Sequence, residues 1–250
     1  MLKITVVTVS FNAVRTIGRT LDSVAAQDHP AIEHLVIDGA SSDGTLGVIE
    51  SRGKNLARFV SEPDKGIYDA MNKGLDLATG DVVCFLNADD FYATPQVLGR
   101  VADKLESLGV DALVGDLAYF SPDDPDRVVR RFNSGRFSPK RLAYGWMPAH
   151  AAFFMKREIY ERVGRFKIDY RIAGDFEFIA RAFSKESIRY CYFPEILVKM
   201  QLGGISNVGL GARLLSNREI LRACRENGLE TGVWKLSLRY PLKLLELLKR

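Results

Sequence analysis

Cysteine is scarce and odd in number. Cys84, Cys191 and Cys224 lie far apart in the 250 residues, an arrangement that makes neither a disulfide framework nor a zinc site and points to a reducing compartment, the cytoplasm. Long apolar runs are also missing. The first, residues 4–9, is too short for a membrane span or a secretory core and has no cleavage site after it. No G-x-G-x-x-G follows that run, which argues against a dinucleotide cofactor. Charge of one sign is absent from most of the chain. Of 35 Lys and Arg and 31 Asp and Glu, residues 231–250 hold Lys235, Arg239, Lys243, Lys249 and Arg250 against Glu246, which accounts for the whole net charge of +4. That tail is otherwise rich in leucine, so it points to an anionic surface and not to a nucleic-acid groove.

What is present is enough apolar residue to build a core. With 47% hydrophobic and 26% charged residues, the chain reads as globular, one large domain or two small ones. Apolar runs alternate with helical periods through the first half. Residues 4–9 are followed by Val14, Ile17, Leu21 and Val24 at three- and four-residue spacing, closed by Pro30. A second run at 35–37 ends in Asp38 and Gly39, and S-S-D-G-T then marks a turn and a helix start. A third run at 57–60 leads through the loop S-E-P-D-K-G to a helix at 67–77, and a helix at 95–108 carries Val97, Val101, Leu105 and Leu108 on one face. Such alternation predicts an α/β fold with right-handed crossovers, a parallel sheet and a ligand site at the carboxyl ends of the strands.

The run at 82–86 has no polar alternation, as a strand covered on both faces requires, and it ends in Asn87, Ala88, Asp89 and Asp90. Buried without partners, those two acids would cost several kcal/mol, roughly, so they are expected at the open end of the strand with a cation or polar ligand. Hard oxygen ligands favour Mg²⁺ or Mn²⁺. Asp38, Asp64 and Asp89 would converge on this rim, although turn formation also accounts for each acid taken singly.

Beyond residue 113 the pattern becomes a mixed sheet, with strand-like pieces at 117–120, 128–132 and 151–155. Residues 133–149, with Arg136, Lys140, Arg141, Tyr144 and Trp146, read either as a loop that grips a polar ligand or as a plain connection. His150 reads as a core histidine or as a metal or phosphate contact. In A-G-D-F-E-F, Asp175 stands in the first turn of a helix striped by Phe176, Ile179, Ala180 and Phe183. There it is either an N-cap or a carboxylate offered to a cleft.

The segments I-T-V-V-T-V-S-F-N, L-V-I-D-G-A-S-S-D-G-T, E-P-D-K-G-I-Y-D-A-M-N-K-G, A-T-G-D-V-V-C-F-L-N-A-D-D and A-G-D-F-E-F, in that order over about residues 3–206, resemble family 2 glycosyltransferases with the GT-A fold. Their form is similar to bacterial enzymes of surface-polysaccharide assembly of the colanic-acid type. The resemblance implies a Rossmann-like, mixed and mostly parallel central sheet flanked by helices. It implies a catalytic domain at 1–207, divided into a nucleotide-sugar half (1–116) and an acceptor half (117–207), and a basic amphipathic helical extension at 208–250. It also implies that Thr8, Val9, Ser10 and Phe11 cradle a uridine with Phe11 stacking on the base, that Asp38 and Asp64 read base edges, and that Lys65, Asn87 and Asp89 also contact the donor. Asp89 and Asp90 would hold Mg²⁺ or Mn²⁺, and Asp175 would be the general base. Two positions depart from the family pattern: the paired acids after the second strand are Asp38 and Gly39 here, and the first acid of the metal motif is Asn87.

The implied activity is inverting transfer of a sugar from a nucleotide-diphosphate sugar, UDP-linked, to a hydroxyl of a saccharide or polyprenyl-linked acceptor in cell-surface polysaccharide synthesis. The rivals are a non-catalytic nucleotide-sugar-binding protein and a sugar nucleotidyltransferase, although S-F-N-A-V-R-T lacks the glycine- and base-rich loop of the latter. The loop G-G-I-S-N at 203–207 is expected either to close over the diphosphate or to form a simple turn. Residues 233–248 place Trp234 and several leucines among basic residues, broken by Pro241. They are expected either to lie on the inner face of the membrane, making the protein peripheral, or to pack on the catalytic domain.

Overall fold

The computed structural model describes residues 1–121, 124–201 and 209–238. The loop at 203–207 and residues 239–250 of the basic tail lie outside the described residues. The strands are β1 (Ile4–Ser10), β2 (Ile32–Asp38), β3 (Arg58–Ser61), β4 (Val82–Phe85), β5 (Asp90–Tyr92), β6 (Ala112–Ser121), β7 (Asp124–Phe132), β8 (Phe153–Lys156) and β9 (Tyr190–Gln201). The helices are α1 (Ile17–Ala25), α2 (Thr45–Arg52), α3 (Ile67–Leu77), α4 (Val97–Leu108), α5 (Arg157–Val163), α6 (Gly174–Lys185), α7 (Gly209–Glu226) and α8 (Val233–Ser237).

Among the described residues, nine strands form one mixed sheet in the order β3-β2-β1-β4-β8-β6-β9-β5, with β7 paired off this path to residues 117–121 of β6, past the end of its pairing with β8. β3, β2, β1 and β4 are parallel neighbours. β8 enters antiparallel between β4 and β6, and β9 returns parallel to β6. Six of the nine strands thus point one way, in keeping with the mostly parallel GT-A sheet implied by the sequence. Beyond β4, the amides of Leu86 and Ala88 still bond to Val7 and Val9 of β1. The chain then turns, and β5 runs back antiparallel to β9.

Period-two alternation sorts the side chains to two faces. Val7, Val9, Val83 and Phe85 join a core with α3, α5 and α6, while Ile4, Val6, Val82, Cys84 and Leu86 join one with α4. Ile17 and Leu21 of α1 close over Val36 and Ile49. This two-sided cover explains why the first-half strands read as unbroken apolar runs. Ile220, Ala223 and Cys224 of α7 and Leu236 of α8 belong to the same core as α6.

The second half differs from its sequence reading in detail. β6 runs through residues 116 and 117, where the two halves were divided, and its register against β9 shifts there. β5, β9 and α5 were not expected. Residues 133–149 contain short 3₁₀ helices at Ser134–Arg136 and Pro139–Tyr144. Asp116, fully buried, holds the start of this stretch through Arg131 Nε at 2.9 Å, the Ser134 amide at 2.7 Å and the Tyr192 hydroxyl at 3.0 Å.

Candidate active site

The carboxyl ends of β1 and β2 meet at Asp38. Its buried carboxylate accepts from Ser10 Oγ at 2.8 Å, from the amide and hydroxyl of Ser41 at 2.8 and 2.6 Å, and from Ser61 Oγ at 2.8 Å. Burial raises its pKa, but the Ser41, Ser10 and Ser61 bonds together outweigh burial and hold the carboxyl below the usual range. Four donors occupy the acceptor capacity of a carboxylate, so Asp38 ties β1, β2, β3 and the loop after β2 into one unit. Thr8 is likewise buried, its hydroxyl 3.0 Å from His34 Nε2, and Val9 is buried. Phe11 alone of residues 8–11 presents its side chain outward, 66% exposed. Next to it Asn12, at φ 49°, donates its amide to Ser41 Oγ and accepts the Ser42 amide on Oδ1, which fixes the platform from behind.

Asp64, in the loop between β3 and α3, accepts the Gly66 amide on Oδ1 at 2.8 Å. Its Oδ2 lies against Gly39, and the Phe11 ring would be 3.3 Å from a Cβ at that position. Phe11, Gly39 and Asp64 therefore share one rim. Lys65 is exposed, and among the described residues only its backbone amide is bonded, to Asp69 Oδ2 at 3.0 Å.

The acids after β4 do not share one environment, as the sequence reading had them do. Asp89 stands half-buried on the turn, whereas Asp90 is fully buried because it begins β5 and pairs with Met200. Thr20 Oγ1 donates to the Asp90 carbonyl at 2.7 Å. Neither carboxylate oxygen of Asp90 nor Asn87 Oδ1 has a hydrogen-bond partner among the described residues. Burial, reinforced by the charge of Asp89, pushes Asp90 well above the ordinary carboxylate range, and burial raises Asp89 as well. Unpartnered buried oxygens are costly, and oxygen acceptors of this kind are the type that a hard cation takes.

Asp175 opens α6. Its Oδ1 accepts the Phe176 amide at 2.8 Å and lies 3.4 Å from the Tyr68 hydroxyl, which donates to the Ile172 carbonyl at 2.7 Å. Gly174 is glycine because the Tyr68 ring occupies the place of a side chain, with Cε2 2.6 Å from an ideal Cβ. Burial raises the Asp175 pKa, against the charge of His150 and the bonds from Phe176 and Tyr68; burial lowers that of His150, against the charge of Asp175. His150 stacks on Phe85, the last residue of β4, with ring centroids 5.5 Å apart. Asp175 thus faces His150, and His150 in turn stacks on the last residue of β4.

Tyr68 and Asn12 lie inside the motif segments, but no sequence pattern marks their roles, since their partners Ile172, Ser41 and Ser42 are far away in the chain. His150 is stacked on an aromatic, half-buried and in electrostatic contact with Asp175, which combines the core reading with proximity to the site.

The profile of Glycosyl transferase family 2 matches residues 5–187. The chain is 36% identical over 181 residues to an uncharacterized glycosyltransferase of Mycobacterium tuberculosis, covering 72% of this chain and 68% of that one. It is 31% identical over 206 residues to a PGL/p-HBAD biosynthesis glycosyltransferase of Mycobacterium bovis, covering 79% and 77%. Its fold superposes on S. aureus TarS residues 1–349 in complex with UDP-GlcNAc with a TM-score of 0.73 at 19% identity, covering 91% of this chain and 68% of that one. It spans only 43% of a longer TarS chain. By its profile match and these relatives, the chain belongs to glycosyl transferase family 2 and is a glycosyltransferase.

Proposed function

We propose that the protein is an inverting glycosyltransferase that moves a sugar from a UDP-linked donor to a hydroxyl of a saccharide or lipid-linked saccharide acceptor. The observation that carries this reading is Asp175, a half-buried carboxylate of raised pKa held at the first turn of α6 and tied through His150 and Phe85 to the end of β4. The UDP-GlcNAc complex of TarS, a fold neighbour, supports a UDP-linked donor, and the acceptor class is the one that the sequence resemblance implies.

In this reading the uracil stacks on exposed Phe11, a flat apolar face beside a polar rim, and Asp64 accepts from a base N–H. Asp38 and the backbone of Thr8, Val9 and Ser10 shape the floor of this pocket. The Lys65 ammonium, with no partner among the described residues, is available to the diphosphate. Asn87, Asp89 and Asp90 would hold Mg²⁺ or Mn²⁺. No cluster of three or more His, Cys, Asp or Glu exists among the described residues, so phosphate oxygens and water would complete the shell, the usual manner for Mg²⁺. Held by these residues, such a cation would supply positive charge against the negative charge that grows on the departing diphosphate. Asp175 takes the proton of the acceptor hydroxyl as its oxygen bonds to the anomeric carbon opposite the breaking carbon–phosphate-oxygen bond, which inverts the centre. A base so placed is worth about 10²- to 10⁴-fold.

The test is UDP release from UDP-sugars with Mn²⁺ and with chelator, with the anomeric configuration of the product read by NMR. UDP release and an inverted product are expected. Donor binding without release would make the protein a sensor, and pyrophosphate release from a nucleoside triphosphate and a sugar phosphate would make it a nucleotidyltransferase.

We also propose that α8 and the basic residues after it touch an anionic membrane surface. No helix of the described residues is long and apolar enough to cross a membrane. Leu236 is buried and Thr231 bonds to the Ala143 carbonyl at 2.7 Å, which anchors α8 to the domain, while Val233 and Trp234 remain 70% and 65% exposed. Apolar side chains beside lysines suit the interface of a bilayer. Removing residues 232–250 should abolish sedimentation with anionic liposomes; an unchanged bound fraction rules the contact out.

A further inference from the structure

The N-cap position of the helix that carries Asp175 is Ala173, which offers no side-chain acceptor. Three successive amides before it, of Arg171, Ile172 and Ala173, point instead to the buried carboxylate of Glu219 in α7, at 2.8, 2.9 and 2.8 Å. An anion gathered by backbone N–H groups at a helix N-terminus is favoured by those bonds and by the helix dipole. Tyr68 holds Ile172 by its carbonyl, donating to it at 2.7 Å, and approaches Asp175 Oδ1 at 3.4 Å. Further along α7, Arg222 pairs with Asp169, and Glu226 accepts from Lys167 Nζ at 2.7 Å and the Tyr170 hydroxyl at 3.0 Å. Positions 219, 222 and 226 lie on one helical face. That face holds residues 167–173, the run of chain that ends at the α6 N-terminus.

We infer that Glu219 is a positioning residue for Asp175, so that the C-terminal helix α7 sets the geometry of proton removal. The inference rests on the reading of Asp175 as the general base. Glu219 is buried, with its carboxylate on the three amides of residues 171–173. It fixes the peptide groups from which Asp175 starts, and a displacement of the order of 1 Å at a reacting group costs about 10²-fold in rate.

The experiment compares kcat, donor KM and donor binding for the full chain carrying Glu219→Gln, Glu219→Asp, Asp175→Asn and the double variant Glu219→Gln/Asp175→Asn, with rates normalised to donor-binding protein. Glu219→Gln turns an amide group toward the three N–H donors, and Glu219→Asp keeps the charge but is one methylene short. Either is expected to lower kcat roughly ten- to a hundredfold with donor KM within about twofold. In the Asp175→Asn background Glu219→Gln is expected to add less than about a twofold loss, because residues acting through one step are not additive. A merely structural Glu219 would lower the melting temperature without this split. Wild-type kcat in a folded Glu219 variant, or a full multiplicative loss in the double variant, overturns the inference alone. Wild-type transfer by Asp175→Asn overturns the base assignment itself and the inference with it.

Discussion

The Asp64 carboxylate occupies the space in which a side chain at Gly39 would begin. The glycine after Asp38 is therefore what leaves room for the acid of the loop before α3. Gly39→Ala should drive Asp64 off the rim and disturb Phe11, weakening UDP binding by about 1 kcal/mol, the scale of one hydrogen bond. Isothermal titration measures this. Unchanged affinity would separate Asp64 from the donor.

Asp90 predicts a stability effect of unusual sign. A buried carboxyl whose folded pKa is raised binds its proton more tightly when folded, so its contribution falls as pH rises from about 4 through the raised value. Asp90→Asn removes that slope. In chelator at neutral pH the variant should be as stable as the wild type or more so, by up to about 3 kcal/mol. The wild type should gain melting temperature on adding Mn²⁺ and the variant should not. Equal Mn²⁺ shifts in both would remove Asp90 from the cation site.

Glu33 predicts the acid limb of unfolding. Its side chain accepts from Lys3 Nζ at 2.8 Å, Thr5 Oγ1 at 2.6 Å and the Thr79 amide at 2.7 Å. Burial raises its pKa, but the Lys3, Thr5 and Thr79 bonds outweigh burial and hold it at about 2, below the ordinary 4.5. A depressed acid stabilises the fold above its unfolded pKa and loses that contribution as pH falls through the folded one. Glu33→Gln should therefore lower stability at neutral pH and flatten its pH dependence between 4.5 and about 2. Urea unfolding across that window reads the slope; an unchanged slope would show that Glu33 does not set it.

The parallel strands β1, β2 and β4 were legible because burial on both faces leaves an unbroken apolar run. β9 was not: Pro194 and Glu195 interrupt it where its register against β6 shifts, and its polar residues face a partly open surface. β5 has three residues, too few to show a period. Of the site, the acids were visible as residue types at strand ends, but their environments were not. That Asp38 is filled by Ser10, Ser41 and Ser61, that Asp90 turns inward, and that Glu219 serves a helix over 40 residues upstream in sequence all depend on contacts between distant segments. A charged residue at position 219 reads in sequence as one more polar position on a helix.

The most direct measurement is sugar transfer by Asp175→Asn beside its affinity for UDP-sugar. The account predicts a loss of about 10²- to 10⁴-fold in kcat with donor affinity unchanged. Transfer at the wild-type rate would contradict it, leaving Asp175 as no more than the first-turn acid of α6.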